Sequence, residues 1–277
     1  MKLQIWNESY SLQWKGTYFL ALSDYPNIQD WELEKIVAFL AYEKLYGRET
    51  LIDCEDKVML EQLVYLSCCS PTAFPFTPSK KIVASTYDVG GNYVYSDFLS
   101  HTCTVETAQE IFMSGQLLSA VRAFNKTHQE LVQDNRNAAG DPEDYFDYVM
   151  LGWSNTSSGY RLAMERLLGR EPTEEELGNS FIPGVSFHFK YDDIVNADGY
   201  VFDGYHPAKV RDCLSLKYLF ACIVPSSEKS HFETIIPLDM SSKVYYLDYG
   251  QEGMTDWSQR VCQFVVPRKP LAMLVVQ

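Results

Sequence analysis

Apolar residues recur at helical spacing over Leu33, Ile36, Val37, Leu40, Ala41 and Leu45, with Asp30 ahead of them and Gly47 behind. That spacing lines one face of an α-helix, and Asp30 and Gly47 are suitable start and stop residues. A second amphipathic run covers roughly Glu55 to Leu66, with Val58, Met59, Leu63 and Leu66 on one side. Residues 1–80 are therefore expected to be mostly helical. The segment SPTAFPFTPSKK (70–81) holds three prolines among small polar residues. Proline removes a donor and restricts its neighbour, which makes this stretch the expected linker.

From Lys81 the pattern changes. KIVASTY and NYVYSDFLS are rich in β-branched and aromatic residues and are separated by the turn signal DVGG, as in a pair of strands. A helix is expected from Thr104 to Ser114, with Val105, Ala108, Ile111 and Phe112 on its apolar face and Gly115 past its end. Residues 120–180 read as helical and polar. Asp141-Pro142-Glu143 has the form of a helix start, and Thr173 to Glu176 that of a capping box. The last hundred residues predict successive strands at VSFHF (185–189), LKYLFACIV (216–224), FETIIP (232–237), KVYYLDY (243–249), CQFVV (262–266) and LAMLVV (271–276). The resulting expectation is an α+β chain. A helical region (1–80) precedes a body (81–277) that carries a helical insertion at about 120–180.

Composition narrows the class. The chain has 277 residues, 46% hydrophobic and 22% charged, as in ordinary globular proteins. Its 23 Lys+Arg against 37 Asp+Glu leave a net charge of −14. Binding a phosphate backbone requires basic side chains, so extended nucleic-acid binding is disfavoured and a basic protein partner suits the charge better. The seven cysteines are irregularly spaced, and Cys68-Cys69 is adjacent rather than spaced as CxxC. This predicts free thiols and a cytoplasmic protein. No apolar span reaches membrane-crossing length, and no GxGxxG, P-loop, HExxH or GxSxG motif occurs. No metal site is expected. FDGYHP (202–207), with Asp203 and His206, reads either as a metal or acid–base pair or, more simply, as a hairpin turn.

Three segments carry candidate chemistry. In DFLSHTCTVETAQEIFMSGQLLSA (97–120), a strand ends on Ser100, His101 and Thr102 and a helix starts at once. Helix N-termini present free N–H groups and partial positive charge, which suits polar ligands; read alone, the segment is more simply a capped βα junction with an incidental histidine. In PGVSFHFKYDDIV (183–195), Phe187 and Phe189 share one strand face and His188 takes the other. Those rings either flank a flat ligand or belong to the core. In HFETIIPLDMSSKVYYLDY (231–249), Glu233 opens an apolar strand, a position where desolvation raises a carboxyl pKa.

In order and spacing these segments resemble the ADP-ribosyltransferase superfamily, most nearly its branch of DarT-like toxins and RNA 2′-phosphotransferases. LSHTCTVETAQEIFMSGQLL looks like the opening of such proteins, VSFHF like their aromatic strand, and FETIIPLDMSSKVYYLDY like their late strand. The resemblance covers roughly 93–250 and implies a split-sheet body with NAD as substrate. It implies that His101 meets the nicotinamide ribose and that Ser100 and Thr102 belong to the dinucleotide site. Phe187 or Phe189 would flank the nicotinamide ring, and Glu233 would hold the ribose 2′-hydroxyl. Arg122, Arg136, Arg161 and Arg166 are the candidates for the phosphates. A protein or small-molecule acceptor fits the acidity better than nucleic acid. The alternative is a non-catalytic protein-interaction module on a related α+β scaffold.

Overall fold

The computed structural model describes residues 1–8, 11–14, 16–68, 88–89, 92–93, 97–134 and 141–266. The expected linker (70–81), KIVASTY (81–87), the Gly90-Gly91 turn and the strand at 271–276 lie outside the described residues.

In chain order the elements are β1 (Lys2–Trp6), β2 (Leu12–Trp14), β3 (Thr17–Ala21), α1 (Asp30–Leu45), β4 (Leu51–Asp53) and α2 (Lys57–Cys68). There follow β5 (Asp88–Val89), β6 (Asn92–Tyr93), β7 (Phe98–Cys103), α3 (Val105–Ser114), β8 (Gln116–Leu118), α4 (Ala120–Phe124) and α5 (His128–Val132). Next come β9 (Tyr148–Trp153), α6 (Ser158–Leu168), α7 (Glu174–Gly178), β10 (Val185–Lys190), α8 (Tyr191–Ile194), β11 (Tyr200–Val201) and β12 (Ala208–Arg211). The last are β13 (Cys213–Ser215), β14 (Leu219–Pro225), α9 (Lys229–Phe232), β15 (Val244–Leu247) and α10 (Met254–Val265). The protein is thus mixed α and β, and no helix among the described residues is long and apolar enough to cross a membrane. The described cysteines are free thiols.

Two compact units divide the chain. One joins Met1–Ala84, Leu118–Leu151 and Val195–Leu214, the other Ser85–Leu117, Gly152–Ile194 and Ser215–Gln277. The first unit is thus assembled from three separate stretches of the chain.

In the first unit a four-stranded sheet runs in the order β2-β3-β1-β4. The alternation of KLQIW and TYFLA turns Leu3, Ile5, Tyr18 and Leu20 inward, where they meet Ile36, Phe39, Leu40, Met59 and Leu63 of α1 and α2. Both helices were legible from their periodicity. The expectation of a mostly helical 1–80 fails on the strands, which are three to five residues long. β2 and β4 are too short for alternation to mark them, β1 and β3 do alternate, and parallel pairing of β1 with both β3 and β4 completes the sheet.

A mixed sheet of seven strands runs β11-β12-β9-β7-β10-β14-β15, parallel only between β14 and β15. The residues of β9 fall in both units. Its sequence, YVMLGW, lies inside the stretch expected to be a helical insertion. A strand with neighbours on both sides and both faces covered reads as an unbroken apolar run, which periodicity does not separate from a buried helix. Two expected strands are corrected in turn. CQFVV belongs to α10, whose buried residues Trp257, Ser258, Val261, Cys262 and Val265 follow helical spacing. FETIIP spans the end of α9 and the turns after it. Its amides bond locally, Glu233 N to Lys229 O and both Ile235 N and Ile236 N to Phe232 O, so they form no ladder.

Candidate functional site

In the second unit β7 runs directly into α3, as the strand-to-helix junction at Thr104 predicts. Thr104 caps α3, its hydroxyl accepting from Thr107 N, and Gly115 ends the helix in the left-handed conformation at φ 70°. β10 pairs antiparallel with β7 along its whole length. Cross-strand partners face the same side of a sheet, so the register sorts the predicted residues. His101, Phe187 and Cys222 form one row, whereas Thr102 lies with Ser186 and Ile223, and Ser100 with His188 and Ala221. Ser100 and Thr102 therefore face away from His101.

The aromatic pair takes the core alternative. Phe187 and Phe189 have no exposed surface, and Phe187 meets Phe112 of α3 at 5.4 Å between ring centroids. Glu233 sits at the end of α9, exposed and 3.4 Å from Lys229. It does not open a strand. The late strand beside β10 is β14, LFACIVP, which carries no carboxylate. Its residue in the row of His101 and Phe187 is Cys222, whose thiol burial pushes well above the ordinary range.

A carboxylate does follow that strand. A single turn after Pro225 brings in Glu228, whose Oε2 lies 2.9 Å from His231 Nδ1. The pair borders a cleft of about 380 Å³ lined also by Thr104, Glu106, Gln109, Leu167 and Ile182, toward the lower end of the roughly 300–1,000 Å³ of small-molecule sites. Gly184 allows the close approach at its base, since a Cβ there would sit 2.4 Å from Cys103 O. Gln109 Nε2 donates to His231 O at 3.2 Å and ties α9 to α3.

Among the described residues no arginine lines this cleft. Arg161 is engaged with Glu165, Glu171 and Glu174, and Arg136 lies outside the described residues. Glu228 and His231 were missed in the sequence. The usable signal was the strand-ending Pro225 followed within three residues by an acid.

The face shared by Ser100 and Thr102 holds a buried polar chain. Tyr160 Oη donates to Ser186 Oγ at 2.9 Å, and His188 lies 2.9 Å from both Ser186 Oγ and Ser154 Oγ. Burial pushes His188 down to about 3, so its ring is neutral. Its folded value lies below the ordinary 6.5, so the unfolded chain binds the proton first as pH falls. Its contribution to stability is complete above about 6.5 and is lost as pH falls toward about 3. The stability advantage of wild type over His188→Gln is therefore expected to shrink by up to about 1.4 kcal/mol per pH unit in that window. Urea titrations at several pH values measure it, and a pH-independent difference contradicts the neutral buried imidazole.

The FDGYHP segment forms a second polar cluster, within the first unit. Asp203, fully buried, accepts from the amides of Tyr205 (3.0 Å) and His206 (2.8 Å), and lies 2.8 Å from His206 Nδ1 and 3.2 Å from Lys209 Nζ. Burial pushes the Asp203 carboxyl up, but Lys209 and His206 outweigh it and hold it well below the usual carboxylate range. Lys209, also without exposed surface, donates to Tyr42 Oη at 2.8 Å and sits 3.6 Å from the Tyr145 ring centroid. Tyr42 in turn bonds Asp144, which Arg48 also contacts. The groups satisfy one another, and among the described residues no cluster is arranged to hold a metal ion.

Comparison with protein-family models, with curated proteins and with solved structures finds no match to this chain.

Proposed function

We propose that the chain is an ADP-ribosyltransferase-like enzyme that takes NAD as substrate at the cleft beside α3. In this reading Glu228 supplies the carboxylate and His231 orients it. The observation that carries it is the Glu228–His231 pair at 2.9 Å bordering the cleft, on the turn that follows β14. The order of β7, the N-cap of α3, Gly115 and β10 supports it, being the order the resemblance implies.

The chemistry needs little from the protein beyond charge and position. As the bond between nicotinamide nitrogen and ribose C1′ breaks, nicotinamide departs with the electron pair and positive charge develops on the ribose. A fixed carboxylate beside that charge stabilises the transition state more than the ground state. A nucleophile of the acceptor then bonds C1′ and gives up its proton. The cleft volume of about 380 Å³ suits the nicotinamide–ribose end of the dinucleotide. With no lysine or arginine among the described lining residues, the phosphates would lie outside it.

The test pairs thermal denaturation in NAD with a nicotinamide-release assay. NAD at tenfold its Kd is expected to stabilise wild type by about 1.4 kcal/mol, raising Tm by about 2–4 °C per kcal/mol. Glu228→Gln is expected to keep that shift and lose about 10²–10³-fold of nicotinamide release. Glu233→Gln is expected to behave as wild type. Equal losses in the two variants, or none in either, would overturn the assignment.

A second reading, the non-catalytic interaction module, is favoured by one observation. The β14 residue in the row of His101 and Phe187 is a buried thiol, and both phenylalanines are closed to a ligand. Absence of both the NAD shift and nicotinamide release in wild type would establish that reading over the first.

A further inference from the structure

We infer that the rim of the cleft in the second unit docks a basic segment of a partner protein, with an apolar side chain as anchor. As a statement about the acceptor of ADP-ribose, this rests on the reading above. As a statement about docking, it does not.

Exposure divides the lining into base and rim. Ala163 and Gly184 are buried and Glu228 is half-buried, whereas Glu106, Leu167, Ile182 and His231 are exposed. Leu167 and Ile182 keep 45% and 50% of their surface in solvent, so the rim carries an uncovered aliphatic patch. Water against such a patch is displaced favourably by another apolar side chain.

Charge selects the partner. Glu106 lies in the first turn of α3, where its carboxylate offsets the helix dipole and makes that helix end a poor anion site. Glu228 adds a second carboxylate, and among the described residues neither lysine nor arginine lines the cleft. A phosphate-bearing polymer would meet these carboxylates within a chain of net charge −14, so nucleic acid is the disfavoured occupant. A lysine or arginine side chain finds the complementary sign there. At about 380 Å³ the opening admits side chains rather than a folded domain, which points to a peptide segment.

Fluorescence anisotropy of the full chain with a labelled Lys/Leu peptide tests the proposal, against a Glu/Leu peptide and a labelled oligothymidylate. The Lys/Leu peptide is expected to bind, with affinity falling as salt rises from about 0.05 to about 0.3 M. Glu106→Gln and Ile182→Ser, both at exposed positions, are each expected to weaken it by about tenfold. Asp256→Asn, which removes an exposed carboxylate from α10 outside the cleft, is expected to leave affinity unchanged. A Tm equal to wild type verifies that each variant is folded.

Equal weakening by Asp256→Asn, no weakening by either rim variant, or tighter binding of the oligonucleotide would overturn the docking site. Peptide binding without any NAD shift sinks the enzyme reading alone. An NAD shift without peptide binding sinks the docking site alone.

Discussion

Lys209→Met is expected to cost about 3–5 kcal/mol of stability, because it leaves Asp203 buried beside a neutral thioether. The ammonium has no exposed surface and lies 3.2 Å from Asp203 Oδ2, beneath the rings of Tyr42, Tyr145 and Tyr148. Removing one member of a buried pair forfeits the attraction and also strands the desolvated partner. His206 and two backbone amides still bond Asp203 and moderate the loss. The double variant Asp203→Asn/Lys209→Met removes both charges and is expected to be more stable than Lys209→Met alone. Urea unfolding of the three proteins tests this. A single-variant loss below about 1 kcal/mol would show that the ammonium does not balance that carboxylate.

Gly204→Ala is the second large effect, expected at about 3–5 kcal/mol. Gly204 has φ +77°, a conformation that L side chains rarely adopt, and its missing Cβ would sit 2.2 Å from Lys35 O and 2.5 Å from Phe39 N. Both obstacles are backbone atoms of α1, so no side-chain rotation relieves the overlap. Either the turn or the helix must move, and that turn carries Asp203. Gly47 is the internal control: its φ is +68°, but among the described residues no heavy atom beyond its chain neighbours lies within 4 Å of the position a Cβ would take. Gly47→Ala therefore bears only the cost of left-handed backbone, about 1–2 kcal/mol. Similar losses in the two variants would mean that the approach of the turn to α1 is not tight.

The candidate site was only partly legible in the sequence. The strand-to-helix junction at Thr104 and the stop at Gly115 rest on capping chemistry that a few neighbouring residues decide, and both appear where expected. The roles given to Phe187, Phe189 and Glu233 depended on which surfaces face a ligand, and that is settled by partners remote in sequence. Phe187 is closed over by Phe112, seventy-five positions earlier. The apolar neighbours of Glu233 predict a strand, but the local bonds of α9 hold that segment in helix and turns. Glu228 went unnoticed because its significance comes from the cleft it borders.

The sequence by itself determined the features written into short-range chemistry. These are the helices α1 and α2, though Leu45 and Val58 of their expected apolar faces are exposed, the capped and glycine-terminated α3, the capping box at Thr173 and Glu176, and the strands of β10 and β14. Tertiary structure decided the rest. β1, β4 and β9 are strands because hydrogen-bonding partners far along the chain complete their ladders. The burial of Asp203 and Lys209 likewise depends on Tyr42, more than 150 residues earlier. Helix capping and periodicity act within about four residues and survive in a linear reading. Strand pairing, burial and the lining of a cleft are set by which distant segments meet, and a linear reading does not contain that.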